Sequence, residues 1–362
     1  MVTIEARRLE ALVSDIFVRI GSSEAEAARI GHYLVVANLT GHDSHGVVRV
    51  PRYAQNRRDG TTVADQRIEI VSDTPVLAIV DGKYGFGQTV APQAVQLGID
   101  KCQSMGLSAI GLRNAGHIGR VGDWAEMAAA AGLVSVHFVN AAGSVLVAPH
   151  GGVDRRFSTA PYAVGIPRAG QAPLVLDFAT SIVAEGKVLV ASQGGKKLPA
   201  DALIEPDGRA TSDPHALYGD YTASGPRNYR QGKGAIRAFG EHKGSGLAFM
   251  CEMLGGALTG NGATREGRPF ANGMLSFYVD PARIDTDGFF GPEIERYVAY
   301  VKNSRPALTG GEVLVPGEME QRTRAKRLAE GIPLPDDTWA AIVATAREVG
   351  IDERHIQQAT TS

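Results

Sequence analysis

The chain has 362 residues, 44% hydrophobic and 21% charged, with 37 basic against 39 acidic side chains and a formal net charge of −2. This predicts a globular protein of two or three domains whose core needs no disulfides, and it excludes intrinsic disorder. The charge balance offers no basic field for nucleic acid or an anionic membrane, and no uncharged apolar run of about 18 residues suggests a membrane span.

In chain order, the first sixty residues read as helices. Ser23 and Glu26 have capping-box spacing, and Ile30, Leu34 and Val35 continue a helical stripe up to Asn38–Gly41. A second helix follows the HDSHG segment and stops at Asp59-Gly60. From Ile68 short β-rich runs alternate with Ala-rich helical ones, the pattern of an α/β fold. Strands are predicted over 76–80, 107–112, 133–139, 162–167 and 174–178, with helices over 90–105 and 121–131 between them. A largely buried helix is predicted over 245–258, a strand over 274–279 and a surface helix over 338–349 closed by Gly350. Pro and Gly thicken between 193 and 234, which predicts long loops. The 44 glycines exceed the average share of about 7%, and many tight backbone approaches around an extended ligand would account for them. Cys102 and Cys251 stand far apart and form no C-x-x-C unit, as expected in a reducing cytoplasm.

Familiar nucleotide signatures fail. Gly85-Phe86-Gly87-Gln88-Thr89-Val90 lies between a strand and a helix, but Val90 occupies the third small position of the dinucleotide fingerprint. No phosphate-binding G-x-x-x-x-G-K-[ST] occurs either. Two histidines carry more information. A helix through His42-Asp43-Ser44-His45-Gly46-Val47-Val48-Arg49 would place His45, Arg49 and Tyr53 on one face, where an Arg fork can hold a carboxylate and a His can exchange a proton. A solvated helix start is the alternative. His117 follows a predicted strand and precedes a helix, a position typical of catalytic side chains, with a backbone-bonded turn His as the alternative. Asp177 ends an apolar strand, where it could orient a histidine, bind ribose hydroxyls or cap the next helix. His242 and Lys243 open the predicted helix at 245–258, and its free N–H groups suit a phosphate or simply close packing. His42 and His45 have spacing that permits a metal, but no third ligand is evident, and none is expected.

Seven ordered segments then carry a resemblance that runs nearly end to end. They are ANLTGHDSHG (37–46), NAGHIGRVGDWAE (114–126), VAPHGG (147–152), RRFSTAPYAVGIPR (155–168), LVLDFATSIVAEGK (174–187), EHKGSGLAFMCEMLGGALTG (241–260) and LVPGE (314–318). Together they resemble the malate/L-lactate dehydrogenase family, which includes sulfolactate and ureidoglycolate dehydrogenases and piperideine-2-carboxylate reductase. HIGRVGDWAE and EHKGSGLA look most like its hydroxycarboxylate-dehydrogenase-B branch. The resemblance implies a non-Rossmann NAD(P)-binding α/β fold of the sulfolactate dehydrogenase type, a mixed sheet with a helical domain formed from both termini, and a homodimer. On that basis 1–65 is the helical N-terminal part, 66–290 the cofactor and substrate region, and 291–362 a C-terminal helical part packing with the N-terminus.

The resemblance also implies NAD(P)-dependent interconversion of 2-hydroxy and 2-oxo acids, or reduction of cyclic or N-alkyl 2-imino acids. It assigns NAD or NADP to His45, to Gly119, Arg120 and Val121, to Asp177, Phe178, Ala179, Thr180 and Ser181, to His242 and Lys243, to Asn272, and to Pro316, Gly317, Glu318 and Met319. Arg49, with Thr159, would hold the substrate. Ser44, His45 and Asp177 match a charge relay of the reductase branch, and His117 matches the acid/base of the ureidoglycolate branch. Of these competing assignments His117 is favoured as the proton carrier, with His45 contacting cofactor and substrate. Asn140-Ala141-Ala142 departs from the Thr, Asn or Ser that relatives often carry near the nicotinamide.

Overall fold

The computed structural model describes residues 1–222 and 227–360. A short strand β1 (Val2–Ile4) leads into α1 (Ala6–Arg19) and α2 (Glu24–Leu39). Leu9, Leu12, Val13, Ile16 and Phe17 repeat at helical spacing on α1, so one stripe is buried while the rest of the helix meets solvent. Gly31 lets α2 cross closely, because a Cβ there would lie 2.5 Å from Ser14 Oγ. Ser23 caps α2 as predicted, its hydroxyl accepting from Glu26 N–H at 3.2 Å. The reciprocal half of the capping box is absent. Glu26 is fully buried and instead accepts from Asp65 N–H and Thr89 Oγ1, tying α2 to later chain.

After α3 (Val50–Arg58), strands β2 (Glu69–Asp73) and β3 (Leu77–Asp81) precede α4 (Gly87–Met105), β4 (Leu107–Ala115), α5 (Gly122–Ala130) and β5 (Val134–Ala142). The chain continues through β6 (Val147–Ala148), β7 (Pro161–Ile166), β8 (Leu174–Ala179), α6 (Glu185–Ser192), β9 (Leu203–Ile204), β10 (Ala210–Thr211), α7 (His215–Tyr218) and β11 (Ala235–Arg237). It ends with α8 (His242–Cys251), a π-helix (Glu252–Leu258), β12 (Ala271–Val279), α9 (Pro281–Ile284), α10 (Phe290–Lys302), α11 (Glu318–Glu330), β13 (Ile332–Leu334), α12 (Asp336–Glu348) and α13 (Glu353–Thr360). The predicted helix at 245–258 therefore starts earlier and widens into π geometry halfway.

Seven strands form one mixed sheet in the order β2-β3-β4-β12-β5-β7-β8, in which only β3 and β4 run parallel. Alternation along the strands sorts its two faces. Val139, Ala163 and Met274 share a cluster with residues of α4 and α5, whereas Phe138 and Tyr162 pack on Ala248 and Cys251 of α8. A second sheet, β10-β9-β11-β6, has its own core of Val147, Leu203, Leu217, Tyr218 and Ile236.

The third core joins the chain ends. β1 pairs antiparallel with β13, and Leu9, Leu12, Ile16, Ile30 and Leu34 pack with Ile332, Leu334, Ile342, Ala346 and Ile356. Full burial of an aliphatic side chain contributes about 1.5–3 kcal/mol. The four large C-terminal residues alone thus supply an amount comparable with a domain's net stability of about 5–15 kcal/mol, and the C-terminal segment is integral to the N-terminal helices. Among the described residues no helix is long and apolar enough to cross a membrane.

Candidate functional site

The HDSHGVVR segment is not the continuous helix that its spacing predicts. It forms two 3₁₀ turns, Asp43–His45 and Val47–Arg49, separated by Gly46 in extended conformation, before α3 begins. Asn38, buried at the end of α2, enforces this shape. Its Nδ2 donates to Asp43 Oδ1 at 2.7 Å and its Oδ1 accepts from Val47 N–H at 2.8 Å. A Cβ at Gly46 would lie 2.1 Å from Asn38 Oδ1, so the turn closes only around glycine. From α11, Arg327 grips Asp43 in bidentate fashion, and Glu320 pairs with His42 Nε2 at 3.3 Å. His45, Arg49 and Tyr53 still converge, by turns rather than by one helical face.

They meet His117. The His45 and His117 rings stack at 11° with centroids 5.5 Å apart, and the Phe270 ring stands 6.2 Å from His117 at a tilt of 45°. Ser44 Oγ lies 3.1 Å from His45 Nδ1, and Tyr53 Oη lies 2.5 Å from His117 Nδ1. The loop carrying His117 leaves β4 and is fixed by Asn272 Oδ1, which accepts from Ile118 N–H at 3.0 Å. It also rests on the start of α4, where a Cβ at Gly87 would lie 2.2 Å from the His117 carbonyl oxygen. Arg49 is half-buried. Its Nε donates to Ser44 O at 2.6 Å and one terminal nitrogen lies 3.9 Å from Glu185, so much of its fork remains open to a ligand.

Both imidazoles are held neutral. Desolvation first, then the neighbouring Arg49 cation, pushes the His117 pKa down to about 3. His45 is likewise held well below the usual histidine range by desolvation, then by His117 and Arg49. A carboxylate bound at Arg49 would offset that cation's part of the shift and raise both values, while desolvation keeps both below the usual range. The arrangement can therefore grip an acid and exchange a proton beside it.

Other expected residues are placed differently. Asp177 does not reach Ser44 or His45 among the described residues. Its Oδ2 accepts from Gly122 N–H at 2.8 Å and faces Arg120 Nε at 3.8 Å, so the relay Ser44–His45–Asp177 is not assembled by direct hydrogen bonds. Arg120, expected at the cofactor, is 1% exposed and caged by Asp123 at 2.8 Å, Glu126 at 2.7 Å and Asp177, so its guanidinium braces the fold. Only the backbone of Gly119, Arg120 and Val121 remains for a ligand. Asn272 spends both amide ends internally, on Ile118 N–H and Asn140 O, and acts on the site through the His117 loop.

Thr180 donates from N–H and Oγ1 to Thr159 O, Ser181 Oγ donates to Val183 O, and Ala179 pairs with Pro161 across the sheet. Phe178 packs edge-on against Phe239. Thr159 is half-buried and, among the described residues, makes no contact with Arg49 or either histidine. His242 and Lys243 are exposed at the start of α8, on the sheet face opposite α4 and α5, and His242 neighbours His150 rather than His45.

A cleft of about 370 Å³ lies between α2, α5, β8 and α11, lined by Thr40, Glu126, Arg168, Val175, Gly317 and Arg324 among others. Gly317 has φ +92° and lies so close to Val175 N that a Cβ would approach to 3.2 Å, while Pro316 O accepts from Val175 N–H. Glu318 pairs with Lys302 and Met319 is exposed. Arg168 is held in bidentate fashion by Glu295, which leaves Arg324 as the cleft's more available guanidinium for a phosphate and the cleft's carboxylates for ribose hydroxyls, and Glu320 links the groove to His42. Part of a dinucleotide fits this donor set. Among the described residues no three His, Cys, Asp or Glu side chains gather as a metal-ligand set.

Sequence reasoning did not assign roles to Tyr53, Gln88, Glu185 or Glu252. Glu252, in the π-helix, is 3% exposed, and its carboxylate accepts from Ser158 N–H and Oγ, Asn140 Nδ2 and Thr264 N–H. An acid among apolar and glycine residues in a predicted buried helix was the available signal.

The chain matches the malate/L-lactate dehydrogenase family over residues 4–343. It is 37% identical to hydroxycarboxylate dehydrogenase B of Escherichia coli (strain K12) over 359 residues, which cover 98% of this chain and 96% of that protein. Sulfolactate dehydrogenase from Methanocaldococcus jannaschii superposes with a TM-score of 0.83 at 28% identity, covering 100% of both chains. Delta1-piperideine-2-carboxylate reductase from Pseudomonas syringae superposes at 0.78 and 29% identity, covering 97% of this chain and 100% of that one.

Proposed function

The chain belongs to the malate/L-lactate dehydrogenase family, with the fold of sulfolactate dehydrogenase, and on that premise we propose that it interconverts a 2-hydroxy acid and a 2-oxo acid using NAD or NADP. The observation that carries this reading is the stack of His45 on His117 within the field of Arg49. Arg49 orients the substrate carboxylate through its open fork. His117 then exchanges the hydroxyl proton, so that charge does not build up on the substrate oxygen, and His45 walls the same space. The nicotinamide, when bound, gives or receives the hydride. The Gly119–Val121 backbone, the Asp177–Ser181 strand end and the Pro316–Met319 loop would hold it, with the cleft at Gly317 and Arg324 receiving its polar end.

Turnover of NADH and NADPH with pyruvate, oxaloacetate, 2-oxoglutarate and phenylpyruvate tests the reading. General acid/base catalysis is worth about 10²- to 10⁴-fold, and His117→Gln should lower kcat by that much. An unchanged kcat with a raised KM would refute the assigned role. A second reading, reduction of 2-imino acids, is favoured by the likeness to the piperideine-2-carboxylate reductase, since the same clamp serves a C=N bond. Activity on pyruvate only when methylamine is present would select it.

We also infer a homodimer in the cytoplasm. Both cysteines are free and buried, as a reducing compartment allows, and α10 buries none of its residues while Phe289, Tyr297 and Tyr300 stand exposed for a second copy.

A further inference from the structure

Tyr53 is 4% exposed, with its ring fixed edge-on by Phe17 and at a tilt by Phe86, and its hydroxyl is the hub of three contacts. Gln88 Nε2 donates to it at 3.0 Å, His117 Nδ1 lies 2.5 Å away, and the His117 carbonyl oxygen lies 3.3 Å away. A phenol has one proton and two acceptor sites, so these contacts admit only two hydrogen arrangements. In the first, Tyr53 donates to Nδ1, and the neutral imidazole carries its proton on Nε2. In the second, Nδ1–H and Gln88 both donate to the phenol oxygen while Tyr53 donates to the His117 carbonyl, which leaves Nε2 bare.

Resting on the acid/base reading of His117, we propose that Tyr53, steadied by Gln88, is a positioning residue that reserves Nδ1 and makes Nε2 the nitrogen that exchanges the proton with substrate. The second arrangement serves the neutral Nδ1–H ring and the imidazolium alike, because in both the phenol accepts from Nδ1–H and donates to the His117 carbonyl. For hydroxy-acid oxidation the second arrangement supplies a bare Nε2. That nitrogen takes the hydroxyl proton as C=O forms, giving an imidazolium whose Nδ1–H stays bonded to Tyr53, and the hydride leaves to the nicotinamide. Reduction returns the same proton from Nε2 to the oxygen. Gln88 is fully buried, and its Oε1 has no partner among the described residues. No other hydrogen bond among the described residues competes for the Gln88 amide, which serves the phenol as a donor. Burial keeps the phenol protonated across the working range, its pKa pushed up to about 12.

Ring-¹⁵N NMR of histidine-labelled full-length protein tests this without turnover, with the His117 signals identified by their loss in His117→Gln. In the wild type, Nδ1 should report a strong hydrogen bond to a hydroxyl and the ring a single neutral tautomer. Tyr53→Phe keeps the buried ring and removes the hub, so both nitrogens should move to tautomer-averaged positions, and kcat should fall about 10-fold with KM little changed. Gln88→Leu, which leaves the phenol in place, should weaken the tautomer bias and lower kcat less, and it serves if Tyr53→Phe does not fold. Unaltered His117 shifts in folded Tyr53→Phe, or in Gln88→Leu when that is the variant used, would overturn the proposal. Altered shifts together with an unaffected kcat in His117→Gln would instead retain the positioning role and remove the acid/base reading beneath it.

Discussion

Replacing Arg49 by Met tests the carboxylate clamp most directly. Arg49 Nε is already used on Ser44 O, which leaves the two terminal nitrogens for a ligand, one of them 3.9 Å from Glu185. Hydrogen bonds to charged groups contribute about 1.5–3 kcal/mol each, and two at the lower figure give about 3 kcal/mol after competition from Glu185 and solvent. That corresponds to a loss in kcat/KM of about 100-fold or more. Arg49→Lys, which keeps the charge and loses the fork, should fall between Met and wild type. The assay compares a 2-oxo acid with its ethyl ester. Wild type should discriminate strongly against the ester, and Arg49→Met should treat the two nearly alike. Removing the cation also raises the His117 pKa from its depressed value near 3, so the acid limb of the pH–rate profile should move to higher pH. A kcat/KM within about threefold of wild type, or retained discrimination against the ester, would refute the assignment.

Gly87→Ala would drive a Cβ to 2.2 Å from the His117 carbonyl, so activity should fall well beyond the roughly 1–3 kcal/mol of overpacking measured by denaturation. Equal activity at reduced stability would show that the His117 loop is not held from that side. His137 is fully buried between Ser135 and Ser276, with its pKa lowered to about 3 by desolvation. A depressed histidine gives stability that is present above the unfolded value near 6.5 and is lost as pH falls toward 3. At pH 5 that loss is about 2 kcal/mol, so in urea melts His137→Gln should narrow the stability gap between pH 8 and pH 5 by that amount. An unchanged gap would refute the account.

Most strands were legible because their β-branched runs are bounded by turns, and the predicted strand at 107–112 lies within observed β4. The ordered motifs likewise singled out His45 and His117, and spacing singled out Arg49, the three side chains that the fold brings around one space. Spacing failed where tertiary contacts decide: Asn38 and Gly46 fold His42–Arg49 into turns that a helical wheel does not describe. Tyr53 was noticed for its face, yet its partner lies 64 residues on and its support, Gln88, 35 residues on. Arg120 and Asp177 sit inside motifs that point to ligand binding, but charge pairing within the fold uses their side chains. Nothing local distinguishes a guanidinium facing a phosphate from one facing three carboxylates.

The insertion of β12 between β4 and β5 governs the order in which the molecule can assemble. β4 and β5 are neighbours in sequence, but the strand that joins them is the last of the sheet to leave the ribosome, and it brings Asn272 to the His117 loop. The segment bearing His45 waits longer still, for Arg327 to grip Asp43. Such distant pairings mark slow folding with high contact order. A nascent chain thus lacks the Arg327 clamp on the His45 segment until its last tenth is made, and on the proposed reading the completed fold and the completed site arrive together.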